Sequence, residues 1–597
     1  MLRRSLGDFS TDGRQLAFLS LIAAVIGLMG GFIAWILLRL IALITHLAYE
    51  GRVGWSLVAP NTHHLGLWSV AIPVIGGLIV GLLARYGTDK IRGHGIPEAI
   101  QAILEENSQM HPRVALIKPI ASAITIGTGG PFGAEGPIIM TGGAVGSLVA
   151  QFFSLSSLER RTLLVAGAAA GMSATFGAPV SAVLLAVELL LFEWRPRSLI
   201  PVAIASAIAE GVRAWLFGTA PIFATPTTPG LPWSTIGWAV GIGLAAGLLS
   251  GLLTKLVYFT EDAYHTLPIH WMWWPALGGL MIGIGGLLDQ RALGVGYPTI
   301  RLLDAGHLVF AAALALLVVK AAIWVLSLSS GTSGGVLAPL LMLGGALGVV
   351  LSPLLPGHMA GIWATIGMAA MLGGTMRAPF TATIFTMETT HNWALLLPVL
   401  MASVAGMAVT VLWIPRSILT EKVARRGIHV AREYAVHPLE GQAVQNIMVP
   451  RDQVVGVELK AWLASVARDI GAAVLPSHRS YPVLDAKGEI CGVVYRKHIL
   501  LYPSSQVKDV TEPCLTVGDW ERVRAVVEAM ARENRGEARV VDRQGQWVGW
   551  VTRSDLFITW RRQIDQEENR EQIFRRPWQR TTPQDDPVSG QGPAPTS

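Results

Sequence analysis

A chain of 597 residues that is 52% hydrophobic and 14% charged, with 65 glycines, 20 tryptophans and a mean hydropathy of +0.48, is too apolar for a water-soluble globule. It reads as an integral membrane protein. The formal net charge of +6 is small for this length and sits at membrane flanks and in the C-terminal part, which argues for membrane orientation and against nucleic-acid binding.

Residues 1–14 read as a short cytoplasmic N-terminus with Arg3, Arg4 and Arg14. The run from Gln15 to Tyr49 is almost wholly apolar, and as a helix it would span roughly 50 Å, more than a hydrocarbon core of ~30 Å. A strong tilt is expected. The run is too long for a signal-peptide core and no small-residue cleavage site follows it, so it is read as retained. Short apolar segments bounded by Gly and Pro pairs continue to about residue 414, the pattern of helices that end inside a membrane. Arg416, Lys422, Arg425 and Arg426 follow, which places both termini in the cytoplasm and makes the number of crossings even.

The membrane domain is thus assigned to residues 15–430, in two halves of about 15–220 and 230–426. Two soluble α/β modules are expected at 440–505 and 506–562. Each has a strand, a D-x-x-G turn (Asp485 to Gly488, Asp542 to Gly545), a second strand and a helix start. Residues 563–597 are polar and rich in Pro, Gly and Gln, and are read as a disordered tail. The only cysteines, Cys491 and Cys514, fall in the soluble part and support neither a disulfide framework nor a metal site.

The two halves of the membrane domain are versions of each other. GAAAGMSATFGAPVSAVLLAVE (Gly167 to Glu188) lies over GMAAMLGGTMRAPFTATIFTME (Gly367 to Glu388), with Pro179 on Pro379 and Glu188 on Glu388. Repeats built of short, interrupted apolar segments are the signature of transport proteins, whose solute site lies between the halves near the bilayer midplane.

Three glycine-flanked segments sit at breaks between apolar runs: GHGIPEA from Gly93, GAEGP from Gly133 and GTSGGVLAP from Gly331. Glycines followed by a proline in the first helical turn describe a helix N-terminus with exposed N–H groups, which carries about half a positive charge and binds anions. The alternative is that these glycines only permit close helix packing. Convergence of three such ends would make an intramembrane anion site.

In this order GHGIP, GAEGP, GVLAP and MRAPFTATIFTME (Met376 to Glu388) resemble the signature motifs of the CLC family of chloride channels and proton/chloride antiporters. The resemblance spans about residues 15–426, and the soluble pair resembles CBS domains. It implies an all-α polytopic membrane protein with inverted repeats and a cytoplasmic α/β CBS pair, working as a homodimer in the lipid bilayer with one pore per subunit. No metal and no enzymatic activity are expected, and chloride is the transported substrate. The implied location is a prokaryotic inner (cell) membrane. The implied anion-binding residues are His94, Gly95, Ile96, Ala134, Glu135, Val336, Leu337 and Leu419. Glu135 matches the gating glutamate, a carboxylate that takes the anion's own place until it is protonated or displaced. An intramembrane acid is functional by default.

Four positions depart from the family pattern. Leu189 stands where antiporters of the family have a second glutamate that receives protons from the inside, so passive, channel-like flux is expected. Coupled exchange through Glu188 or water is the alternative. His94 replaces a serine, Leu337 a phenylalanine and Leu419 a tyrosine, so two hydroxyl donors to the anion are changed. His94 has a ring N–H to offer instead, or it points at backbone carbonyls. The symmetric Glu188 and Glu388 suggest helix-end hydrogen bonding, while Lys118 and Arg377 either add positive potential along the route, snorkel, or pair with those glutamates.

In the second soluble module Thr552 and Asp555 are placed as in CBS modules that bind adenine nucleotides, whereas the first module has Tyr495 and no acid. A structural clamp is the alternative role. Two other classes are disfavoured. An intramembrane metalloprotease needs H-E-x-x-H, and none of the 14 histidines precedes a glutamate. A divalent-cation channel needs oxygen-rich rings rather than N–H donors.

Overall fold

A computed structural model describes residues 13–60, 65–225, 232–427, 443–521 and 523–558. Most of the assigned N-terminus, the first residues of the 440–505 module and the 563–597 tail lie outside the described residues. The chain divides into two compact units, one ending at residue 433 and the other starting at 434.

The first unit is helical. Its first half contains α1 (Gly13–Thr45), α2 (Ala71–Tyr86), α3 (Ile96–Leu104) and α4 (Pro112–Gly127). α5 (Glu135–Gln151), α6 (Ser157–Phe176), α7 (Pro179–Leu185) and α8 (Pro196–Phe217) follow. The second half contains α9 (Ser234–His265), α10 (Trp274–Leu288), α11 (Tyr297–Asp304) and α12 (Phe310–Ser329). It closes with α13 (Leu337–Leu351), α14 (Ala360–Met376), α15 (Pro379–Thr390), α16 (Leu396–Trp413) and α17 (Ile418–Arg425). Among the described residues, eight helical stretches are long and apolar enough to cross a membrane, and shorter apolar ones lie between them. Leu21, Trp68, Phe259 and Leu412 are exposed on this unit, large apolar side chains that a lipid-facing surface tolerates.

Glycine sets the helix packing symmetrically in the two halves. A β-carbon on Gly142 of α5 would strike the Gly167 carbonyl of α6, and one on Gly167 would strike the Gly142 carbonyl. Gly344 of α13 and Gly367 of α14 stand in the same mutual relation. Backbones thereby approach as closely as small-residue membrane interfaces allow.

The repeated glutamates tie the halves together. Glu388, at the end of α15, accepts the N–H groups of Val180 and Ser181 in the first turn of α7 at 2.9 and 2.8 Å. Glu188 accepts those of Phe380 and Thr381 in the first turn of α15 at 3.3 and 2.8 Å. Each acid therefore caps the N-terminus of the helix that carries the other. The symmetry breaks in one respect: α7 runs into a π-helical turn, Ala186–Leu191, while α15 stays α-helical throughout.

The second unit is α/β. Strands β1 (Val449–Pro450), β5 (Leu515–Gly518), β6 (Glu537–Val541) and β7 (Trp547–Thr552) form a sheet in the order β1-β7-β6-β5. The other sheet is β2 (Val457–Glu458), β3 (Ser480–Leu484) and β4 (Ile490–Tyr495), in that order. Both have a parallel and an antiparallel neighbour pairing around matching hairpins, β3–β4 and β6–β7. β1 comes early in the chain yet pairs with β7, so the sheets do not follow sequence order. Helices Leu463–Gly471 and Val523–Arg532 cover them, each with a buried apolar edge.

The D-x-x-G turns explain the hairpins. Asp485 Oδ1 accepts from the N–H groups of Lys487 and Glu489, and Asp542 Oδ1 from those of Gln544 and Gln546, while Gly488 and Gly545 take φ of 75° and 83°. Those two backbone donors hold the Asp485 carboxyl below its usual range.

Candidate anion site

The three glycine-flanked breaks meet. Gly133 and Gly335 exchange backbone hydrogen bonds of 3.2 and 2.8 Å, so the chain just before α5 runs antiparallel to the chain just before α13. Gly93 donates to Thr332 O at 3.1 Å, and Gly334 to Gly93 O at 3.5 Å, which joins the third break to the other two. Gly93 and Gly95 have φ of 83° and 89°, a left-handed backbone that side-chain-bearing residues avoid.

Glu135 occupies the junction. It is the first residue of α5 and is fully buried, and its Oε1 accepts the N–H of Leu337, the first residue of α13. The N–H of Ala338 is also directed at the carboxylate. Gly133 and Gly335 pack against it without side chains, and a β-carbon on either would collide with it. Two helix N-termini thus hold one negative group inside an apolar unit, where each N–H contributes more than it would in water. Among the described residues Oε2 has no hydrogen-bond partner.

α3 approaches backbone to backbone. A β-carbon on Gly136 of α5 would strike the His94 carbonyl, and one on Gly95 would strike the Gly136 carbonyl. His94 is 3% exposed and its Nδ1 is buried without a partner among the described residues, so the ring is not spent on one of their backbone carbonyls through that nitrogen. Ile96 is fully buried as the first residue of α3. Gly95 differs from the anion-donor expectation: its N–H donates to Glu98 Oε2 at 3.0 Å. Glu98, third residue of the helix, reaches back over the N-terminus as a capping side chain does.

Glu98 also anchors α17. Lys422 Nζ lies 2.8 Å from Glu98 Oε1 and 3.4 Å from Arg92 O, and Arg426 reaches the same carboxylate at 3.4 Å. Leu419, fully buried, precedes Lys422 by three residues and so shares the face of α17 that meets α3. Ala134 and Val336 are the buried residues immediately before α5 and α13.

Lys118, fully buried, and Arg377, partly buried, bind backbone carbonyls rather than Glu188 or Glu388. Lys118 Nζ donates to the carbonyls of Ile91 and Gly93 at 2.8 and 2.7 Å, and the Arg377 guanidinium donates to Thr410, Ile414 and Pro415 carbonyls. Both glutamates are instead engaged with opposite helix ends, as above. Lys320 is the counterpart of Lys118 that sequence reading missed. Its Nζ donates to Ala292 O at 2.8 Å and Gly294 O at 3.4 Å. The signal was present: GVGYP (Gly294 to Pro298) follows GHGIP by 201 positions, and Lys320 follows Lys118 by 202.

Leu189 is fully buried in the π turn beside Glu188. In the α/β unit, Thr552 and Asp555 line a cavity of about 1070 Å³ together with Arg479, Lys497, Arg535 and Arg553. Asp555 Oδ2 accepts both the N–H and the hydroxyl of Thr552 at 2.8 Å, so that oxygen caps the helix start. No group of three or more His, Cys, Asp or Glu that could hold a metal occurs among the described residues.

The comparisons with known proteins agree with this geometry. A family model described as voltage gated chloride channel matches residues 76–411. The H(+)/Cl(-) exchange transporter ClcA of Salmonella arizonae is 32% identical over 416 residues, covering 65% of this chain and 84% of that protein. Its counterpart in Klebsiella pneumoniae is 31% identical over 417 residues, with the same coverage. The crystal structure of a slow cyanobacterial Cl-/H+ antiporter superposes with a TM-score of 0.61 at 21% identity, covering 70% of this chain and 99% of that one. A eukaryotic CLC transporter reaches 0.57 at 19% identity and covers 90% of this chain and 98% of its own. A CLC-type fluoride/proton antiporter reaches 0.58 at 22%, covering 69% and 98%. With its family motifs joined at one buried carboxylate and its fold shared along nearly the full length of those structures, this chain belongs to the CLC family of voltage-gated chloride channels and transporters.

Proposed function

We propose that the chain conducts chloride, or a small anion of similar chemistry, passively through a pathway that Glu135 closes. The observation that carries this reading is the Glu135 carboxylate held on the N–H of Leu337, between the N-termini of α5 and α13. A site that holds a carboxylate with peptide N–H groups also holds a halide, and removing the carboxylate by protonation or rotation frees the site. His94 Nδ1, buried and unpartnered, supplies a donor where the family's serine hydroxyl is missing. Leu189 argues for uncoupled flow, because leucine accepts no proton, and Glu188 beside it is committed to the α15 N-terminus.

A second reading is coupled proton/anion exchange, favoured by relatives that carry the name H(+)/Cl(-) exchange transporter. In either case the working unit is a homodimer in a prokaryotic inner membrane, with both termini in the cytoplasm. The excess of basic over acidic side chains lining the α/β cavity, Arg479, Arg496, Lys497, Arg535 and Arg553 against Glu512, Glu537 and Asp555, favours an anionic ligand such as an adenine nucleotide there, with Thr552 and Asp555 in the lining. The decisive experiment on the gate is anion efflux from liposomes at a series of pH values. Glu135→Gln and Glu135→Ala are expected to abolish the pH dependence of flux, and a wild-type pH profile in both variants would refute the gate.

A further inference from the structure

Besides His94 Nδ1, two buried groups near the junction lack partners among the described residues, one an acceptor and one a donor. Glu135 Oε2 has no hydrogen bond, and neither does the hydroxyl of Tyr297, a residue only 8% exposed. Tyr297 is the first residue of α11 and stands in the second half where Ile96 stands in the first, 201 positions earlier. Its ring packs edge-on against Phe176 at 6.3 Å and Phe223 at 5.6 Å. Phenylalanine would fill that aromatic cage equally well and would avoid the standing cost of a buried unpaired hydroxyl.

The place of α11 puts this hydroxyl near the gate. A β-carbon on Gly296 would collide with Met342 of α13, and Met342 is five residues past Leu337, about 7.5 Å along the helix axis. Glu135 and Tyr297 lie within electrostatic range of each other. The charged groups facing the two are Lys320 from α12, Arg213 from α8 and Arg301 from α11 itself. Lys320 is held by two bonds to the carbonyls of Ala292 and Gly294, and Arg301 by one from Nε to that of Ile222, so both side chains are anchored away from the α13 N-terminus by backbone acceptors. Arg213 likewise engages Glu210 and Gly218 O.

We propose that Tyr297 is a positioning residue for the gate: when the Glu135 carboxylate leaves the α13 N-terminus, the Tyr297 hydroxyl donates a hydrogen bond to it and holds it clear of the anion path. Staggered rotamers about χ1 and χ2 give the Glu135 carboxylate other positions without backbone motion. A charged carboxylate that must leave two helix ends inside a dry unit needs a donor where it goes, and the unspent hydroxyl is that donor. The inference rests on the reading of Glu135 as the gate.

The test is chloride efflux from liposomes holding the full-length protein, for wild type, Tyr297→Phe, Glu135→Ala and the double variant, across external pH. Tyr297→Phe is expected to slow efflux about tenfold at alkaline pH, where the departing carboxylate is charged, and less than about threefold at acid pH, where it is neutral. In the Glu135→Ala background the same change is expected to do nothing. Equal loss at every pH, equal loss in the Glu135→Ala background, or no loss at all would overturn the assignment of Tyr297. A Glu135→Ala protein that keeps the wild-type pH profile would instead remove the gate reading beneath it, a result independent of residue 297. Acid-pH efflux serves as the control for folding.

Discussion

At the scale of single residues, the two buried lysines carry a symmetric task that composition conceals. Lys118 and Lys320 are each fully buried, and each ties two carbonyls two residues apart in the loop before a short, proline-led helix. Those loops have left-handed glycines at Gly93, Gly95, Gly294 and Gly296, so their carbonyls have no regular ladder to join. The ammonium satisfies them. Replacing either lysine with methionine keeps the apolar stem but strips the ammonium from its acceptors, leaving Ala292 O and Gly294 O unpaired in one case and, in the other, Ile91 O unpaired and Gly93 O with only the 3.5 Å bond from Gly334, at a cost of about 1–3 kcal/mol for each unpaired acceptor. Both variants are therefore expected to melt several degrees below wild type in detergent, and to a similar extent. A variant that melts with wild type would show that water replaces the ammonium.

At the scale of elements, the exchange of caps between α7 and α15 makes the duplication cooperative. Glu188→Gln removes the charge that faces the α15 N-terminus, and Glu388→Gln does the same for α7. Each loses part of two charge-assisted hydrogen bonds at a cationic helix end, about 1–2 kcal/mol. The thermal midpoint of purified protein is expected to fall for each single variant, and an unchanged midpoint for both would leave the caps without energetic weight. The existence of this pair was legible in the sequence, because Pro179/Pro379 and Glu188/Glu388 repeat at one offset. Its partner was not, since a carboxylate and the helix end it caps are some 200 positions apart and nothing local links them. The convergence of Gly93, Gly133 and Gly335 was partly legible in local chemistry: glycines before a proline-led helix start leave N–H groups exposed and allow another segment to come close, though neither property names the segment that does. GVGYP at Gly294 escaped notice because Val295 and Tyr297 dilute the motif, although Gly296 and Pro298 keep its backbone. The π turn after α7 has no composition of its own and had no sequence signal.

At the scale of the whole molecule, the open choice is whether anion flow is tied to proton flow. Coupling requires that a proton enter from the side opposite the gate and find an acid on the way to Glu135. Leu189 is fully buried among Leu190 and Leu191 in the π turn, and none of the three titrates. Glu188 is partly buried and binds the N–H groups of Phe380 and Thr381 as well as the Thr381 hydroxyl at 2.5 Å. Those bonds tie its carboxylate to the α15 N-terminus, which opposes its movement as a carrier. Liposomes loaded with chloride and diluted into chloride-free buffer of the same pH are therefore expected to release chloride without a matching proton movement. Proton movement in a fixed ratio to chloride would overturn the passive reading, and its loss in Glu188→Gln would then transfer the role of internal acceptor to Glu188 despite its capping bonds.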